Sequence, residues 1–185
     1  MAAVVNGLVL SGGKSLRMGR DKGSLIYPPR AVNQRTRCYE LLARVCEKIF
    51  ISIREDQKEM VHPSLPTILD SVLGEGPGVG ILSAHAFDPE AAWFVLACDF
   101  PFAQESDIDF LFKARDSEFA ATTFTHDKGT VEPLFSIWEP SALQIFSEAF
   151  KGGQMSPRQT LMRTQIKSIQ ALNENTLMNV NSARI

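Results

Sequence analysis

The sequence predicts a single three-layer α/β domain over residues 1–185, with a mostly parallel sheet and helices on both faces. Three observations predict it. Short runs such as "VVNGLVL" (4–10) and "AAWFVLACD" (91–99) are almost wholly apolar, the pattern of strands buried on both sides. Segments of helical period alternate with them, which is the rhythm of βαβ units. The 185 residues, 44% hydrophobic and 22% charged, suffice for one layered core, and no repeat, low-complexity tract or long linker divides them.

Each element has its own signal. After the first strand, "YPPRAVNQ" (27–34) is a turn, because two prolines fit neither strand nor helix interior. "YELLARVCEKIF" places Leu41, Leu42, Val45, Cys46 and Ile49 on one helical stripe, with Cys38 a turn earlier. "KIFISIR" (48–54) and "PTILD" (66–70) are the next strands. "GVGILSAHAF" starts a helix after a glycine-rich turn, and the buried strand 91–99 ends in an acid. "IDFLFKA" carries a core-facing stripe through Ile108, Leu111 and Phe112. "FAATTF" and "VEPLFSIW" are strands, separated by the polar loop "HDKGTVE" (126–132). "PSALQIFSEAFKGG" is a helix with Leu143, Phe146, Ala149 and Phe150 inward, stopped at Gly152 or Gly153. Ser156 and Pro157 are the N-cap and first residue of another helix.

Charge and cysteine content narrow the partners. A net charge of −2 gives no global basic field, so nucleic acid is not an expected partner and any anion site is local. The early apolar run is short, is broken by Asn6 and Gly7, and has no basic flank; neither a membrane segment nor a secretory signal is expected. Cys38, Cys46 and Cys98 have no metal-binding spacing, sit in apolar sequence and fit buried, reduced thiols of a cytoplasmic protein. The three histidines, His62, His85 and His126, are scattered and fit structural or exposed positions better than a metal site.

In a parallel sheet, ligands gather beyond the carboxyl ends of the strands. Ser11, Gly12, Gly13, Lys14, Arg17 and Lys22 follow the first strand, Asp70 and "GEGPGVG" follow the third, and Asp99 follows the fourth. One group supplies glycines and cations, the other carboxylates. That pairing suits a nucleoside triphosphate with a divalent metal: bare backbone N–H groups approach phosphate, Arg and Lys neutralise it, and a carboxylate holds Mg²⁺. Two familiar phosphate loops are excluded. A Walker A loop ending at Gly13-Lys14-Ser15 requires glycine where Leu8 stands, and the glycines at 74, 76, 78 and 80 lack Gly-x-Gly-x-x-Gly spacing.

The stretch "LSGGKSLRMGRDK" (10–22) resembles the signature of MobA-like nucleotidyltransferases, and within them most closely the molybdenum cofactor guanylyltransferase family. "DSVLGEGPGVGIL", "LACDFPF", "VEPLFSIW" and "NVNS" resemble the family's further motifs in the expected order, so the similarity runs from residue 8 to residue 182. The resemblance implies a Rossmann-like sheet of the nucleotide-diphospho-sugar transferase type. It implies transfer of GMP from GTP to molybdopterin, with Mg²⁺ as cofactor. Other cofactor-biosynthesis or acceptor proteins are possible partners.

By the same resemblance, the loop Leu10, Ser11, Gly12 and Gly13 holds the phosphates. Arg17 and Lys22 stabilise charge on the α-phosphate and leaving pyrophosphate, and Asp99 binds the metal. Asp70 with Gly76, Pro77, Gly78 and Gly80 contacts the nucleoside half, and Asn179 and Asn181 add neutral hydrogen bonds near the reacting phosphates. Two departures bear on base and acceptor choice. Ser52 stands where the family commonly has asparagine, and "SARI" follows Asn179-Val180-Asn181 where the family continues Thr-Pro-Glu/Asp into a terminal helix. Two alternatives stay open: another nucleotidyl transfer, using CTP on molybdopterin or a triphosphate on a sugar or alcohol phosphate, and a nucleotide-binding module without catalysis.

Overall fold

In the computed structural model, residues 2–11, 22–27, 31–126, 129–154 and 156–179 are described. Seven strands form one sheet: β1 (Val5–Leu10), β2 (Ile49–Ile53), β3 (Thr67–Leu69), β4 (Ala92–Ala97), β5 (Ala121–Thr125), β6 (Val131–Trp138) and β7 (Ile166–Gln170), in the order β3-β2-β1-β4-β6-β5-β7. Pairing is parallel throughout β3-β2-β1-β4 and between β5 and β7; β6 alone runs the other way. Helices α1 (Gln34–Leu42) and α3 (Glu105–Ala114) pack together on one face. Helices α2 (Pro77–Phe87), α4 (Pro140–Lys151) and α5 (Pro157–Leu161) cover the other, which completes the expected three layers.

The strands at the centre are continuous in sequence because they are buried on both sides. Every residue of β1 and β4 is buried. Phe135 of β6 lies between Phe94, Phe100 and Phe124, with ring centroids 6.3, 5.7 and 5.0 Å away. Both tryptophans are fully buried and spend their N–H groups on backbone oxygens, Trp93 on Asp88 at 3.4 Å and Trp138 on Pro133 at 3.0 Å. Cys38, Cys46 and Cys98 are buried free thiols, as their setting implied.

Pro133 sits in a strand flanked on both sides, where a missing N–H needs an explanation. The β5–β6 register slips between Thr123 and Thr125, so Pro133 lies in a bulge. Side chains close the bulge: Thr123 Oγ1 donates to the Glu132 carbonyl at 3.0 Å, Ser136 Oγ donates to the Pro133 carbonyl at 2.7 Å, and Glu132 Oε1 accepts from the Leu134 N–H at 3.1 Å.

Two expectations change. The stripe from Cys38 to Ile49 does not form one helix. α1 begins earlier, where Asn33 caps it by accepting from Thr36 N at 2.9 Å, and it ends at Leu42. Val45 N reaches Leu42 O at 3.1 Å, a tighter turn that frees Ile49 to pair with Gly7 in the sheet. The second change is β7, which the sequence pattern did not announce. It is a half-exposed edge strand whose five residues, IKSIQ, offer little apolar signal.

Candidate functional site

The sheet's topology selects the crevice. The chain winds outward from β1 through β2 to β3, then returns to place β4 on the other side of β1. The helices leaving β1 and β3 therefore diverge to opposite faces, and the carboxyl ends of β1 and β4 flank the opening. Leu10 and Ala97 are register partners, and Cys98 N donates to Leu10 O at 3.1 Å. Ser11, which precedes Gly12 in sequence, and Cys98, which precedes Asp99, thus follow adjacent strands.

Ser11 is anchored in three directions. Its N–H donates to Ser52 O at 3.3 Å, its hydroxyl accepts from Arg35 Nε at 2.7 Å, and its carbonyl accepts from Gln57 Nε2 at 3.2 Å. Gln57 and Arg35 are themselves buried. Gly12, Gly13, Lys14, Arg17 and Asn181 lie outside the described residues, as does the side chain of Lys22. The backbone of Lys22 begins a short 3-10 helix ending at Ser24.

The other side of the crevice is built from β2, β3 and the start of α2. Ser52 is buried and its hydroxyl donates to Asp70 Oδ1 at 3.0 Å. Burial pushes the Asp70 carboxyl above its usual range, while the Ser52 hydroxyl and the nearby Arg54 charge pull it back. Gly76 caps α2 at φ +86°, a conformation that favours glycine, and exposed Pro77 opens the helix. Ser71 N donates to Ser83 Oγ at 2.9 Å, which ties the loop after Asp70 to α2. Gly80 has a packing reason as well. A Cβ there would fall 2.8 Å from Leu10 Cδ2 and 3.2 Å from Ser52 Cβ, so α2 can approach β1 and β2 this closely only with glycine. Gly78 is buried in the same turn.

Asp99 is half-buried in the turn after β4. Tyr27 lies close enough for the Asp99 carboxylate, after burial, to help push its phenol upward. That puts Tyr27, five residues past Lys22 in sequence, within electrostatic reach of the acid. Helix α1 supports the turn from below: Gln34 Nε2 donates to Phe100 O at 3.2 Å, and Arg37 Nη2 donates to Ala103 O. Among the described residues no three His, Cys, Asp or Glu side chains cluster as a metal site. A single carboxylate still fits Mg²⁺, which commonly takes one or two protein carboxylates and completes its shell with phosphates and water. Asn179 lies three residues beyond Thr176, whose hydroxyl lies 3.1 Å from both oxygens of Asp107 in the first turn of α3, the helix that follows the Asp99 turn.

Sequence reasoning missed the supports. Gln34, Arg35 and Arg37 are long polar residues buried on one helix, and each holds a loop of the crevice. The available signal was the run "NQRTR", where the apolar stripe of α1 is interrupted although the helix lies against the sheet.

The comparisons agree with this geometry. Residues 7–170 match the family described as the MobA-like NTP transferase domain. A "Molybdenum cofactor biosynthesis bifunctional protein" of Synechocystis sp. is 34% identical over 178 residues; the match covers 95% of this chain but 51% of that protein, so this chain spans about half its length. A "Probable molybdenum cofactor guanylyltransferase" of Mycobacterium avium is 29% identical over 180 residues, covering 95% of this chain and 90% of its own. The crystal structure of molybdopterin-guanine dinucleotide biosynthesis protein A from Archaeoglobus fulgidus superposes with a TM-score of 0.78 at 20% identity, over 96% of this chain and 92% of that one, which supports the fold. With its residues 7–170 matched, its sheet order and its strand-end crevice, the chain belongs to the MobA-like NTP transferase domain family.

Proposed function

We propose that this chain transfers GMP from GTP to the terminal phosphate of molybdopterin, forming a guanine dinucleotide cofactor. An oxygen of the acceptor phosphate forms a bond to the α-phosphorus of GTP. The bond from that phosphorus to the α–β bridging oxygen breaks, and pyrophosphate leaves with the electron pair. The observation that carries the reading is the meeting of Ser11, Ser52, Asp70 and the Asp99 turn at one crevice, in a chain carrying the motif "SGGKSLRMGRDK".

Each residue has a physical task. Ser11 fixes the origin of the turn, and Gly12 and Gly13 offer backbone N–H groups to the phosphates. Arg17 and Lys22 hold the charge that gathers on the α-phosphate and the departing pyrophosphate. Ser52, Asp70 and the Gly76–Gly80 turn hold the nucleoside half, and a carboxylate acceptor suits the adjacent N1–H and N2–H donors of guanine. Asn179 and Asn181 hydrogen-bond near the reacting phosphates. Asp99 would hold Mg²⁺, which when bound neutralises and aligns the triphosphate. The reaction needs no covalent intermediate with the protein; positioning and electrostatics carry it. The setting we infer is the cytoplasm.

Calorimetric titration of the intact chain with GTP, CTP, UTP and ATP, each with Mg²⁺, tests the base choice. Tightest binding of GTP is expected. A preference for CTP would replace this reading with cytidylyl transfer.

A further inference from the structure

Arg35 stands out because a guanidinium is costly to bury, yet it is 2% exposed in the first turn of α1. Its contacts join three separate pieces of chain. Nε donates to Ser11 Oγ at 2.7 Å, just past β1. Nη1 donates to the Met60 carbonyl at 3.0 Å, at the end of the 3-10 helix Glu55–Met60. Gly23 packs directly on the same group: a Cβ there would meet Ser11 Oγ at 2.7 Å, Arg35 Nη2 at 2.8 Å and Arg35 Cζ at 3.1 Å. Ser11 and Gly23 bracket the stretch 12–22, which carries every cation and glycine assigned above to the phosphates.

We propose that Arg35 is a positioning residue for nucleotide binding, clamping the entrance and the exit of the phosphate-binding stretch to one rigid guanidinium. The claim rests on the functional reading above, and it assigns Arg35 no contact with substrate. Holding two chain positions at a fixed separation lowers the ordering cost of binding a ligand to the residues between them. The planar fork matters. Arginine presents several donors in fixed directions, and two of them reach Ser11 and Met60 together; a lysine ammonium is a point donor that cannot span both. Gly23 is part of the same device, since any side chain there would wedge the exit away from the entrance. Gln57 reinforces it by holding the Ser11 carbonyl from the other side.

The test combines Arg35→Lys, Ser11→Ala and Gly23→Ala, each checked for folding by near-UV circular dichroism. On folded protein, each is expected to weaken GTP affinity about tenfold, the equivalent of roughly one well-placed hydrogen bond to a charged group. The KM for GTP should rise by more than kcat falls. Arg35→Lys combined with Ser11→Ala should cost no more than Arg35→Lys alone, because both cut the same link. Wild-type affinity in folded Arg35→Lys, or full additivity of the pair, overturns the proposal. Should Arg35→Lys not fold, unchanged affinity in both Ser11→Ala and Gly23→Ala overturns it equally. Hydrogen exchange of a peptide covering residues 8–24, without nucleotide, separates this claim from the functional reading. Faster exchange in the variants supports the clamp, and unchanged exchange overturns it. A wild type that binds no triphosphate overturns the functional reading, and the exchange result still decides the clamp.

Discussion

Gly80→Ala probes how closely α2 must approach β1 and β2 at the crevice. The added methyl would sit 2.8 Å from Leu10 Cδ2, closer than carbon atoms tolerate, and a tight 3.2 Å from Ser52 Cβ, and it would collide with the Ser52 hydroxyl. The Leu10 methyl can rotate, but Ser52 is buried and its hydroxyl is bonded to Asp70. Relief therefore requires either a shift of α2 or rotation of that hydroxyl off the carboxylate. Overpacking of this kind costs ~1–3 kcal/mol, and a lost hydrogen bond to a charged group costs about as much. Replacing glycine by alanine within a helix returns roughly 1 kcal/mol. The net expectation is a loss of up to about 2 kcal/mol in urea unfolding, together with weaker GTP binding by calorimetry, because the Ser52–Asp70 pair is displaced. A variant at least as stable as wild type, with unchanged affinity, would refute this packing account.

Two further outcomes follow from the same structure. Asp70 titrates higher in the folded chain than in the unfolded one, so its ionised form opposes folding above the folded pKa and that cost fades as pH falls through it. Asp70→Asn should therefore be more stable than wild type at pH 7, with the difference vanishing below about pH 4, while GTP affinity drops; unfolding curves across pH read the first and calorimetry the second. Phe135→Ala removes the ring that joins Phe94, Phe100 and Phe124, and should cost ~3–5 kcal/mol of stability in denaturant unfolding.

The legible parts of the fold were those where burial dictates composition. β1 and β4 read as strands because both their faces are covered, and α4 read correctly because its apolar stripe and terminal glycines agree. The end of α1 did not, because Val45, Cys46 and Ile49 keep a helical spacing that the return into β2 overrides. β7 escaped notice because an edge strand with two half-covered faces needs few apolar residues. At the site, Asp70, Asp99 and the turn at Gly76 were legible as acids and glycines following strands. Arg35 and Gln57 were not, since a buried polar residue looks the same in sequence as a solvated one until its partners are known.

The central claim is nucleotidyl transfer at the β1–β4 crevice, and pyrophosphate release tests it most directly. With GTP, molybdopterin and Mg²⁺, the wild-type chain should release one pyrophosphate for each dinucleotide formed. Asp99→Asn should retain its fold and lose turnover by ~100-fold or more, the scale of removing a group that organises transition-state charge. Release by Asp99→Asn at the wild-type rate, or none from the wild type with this pair, would contradict the account.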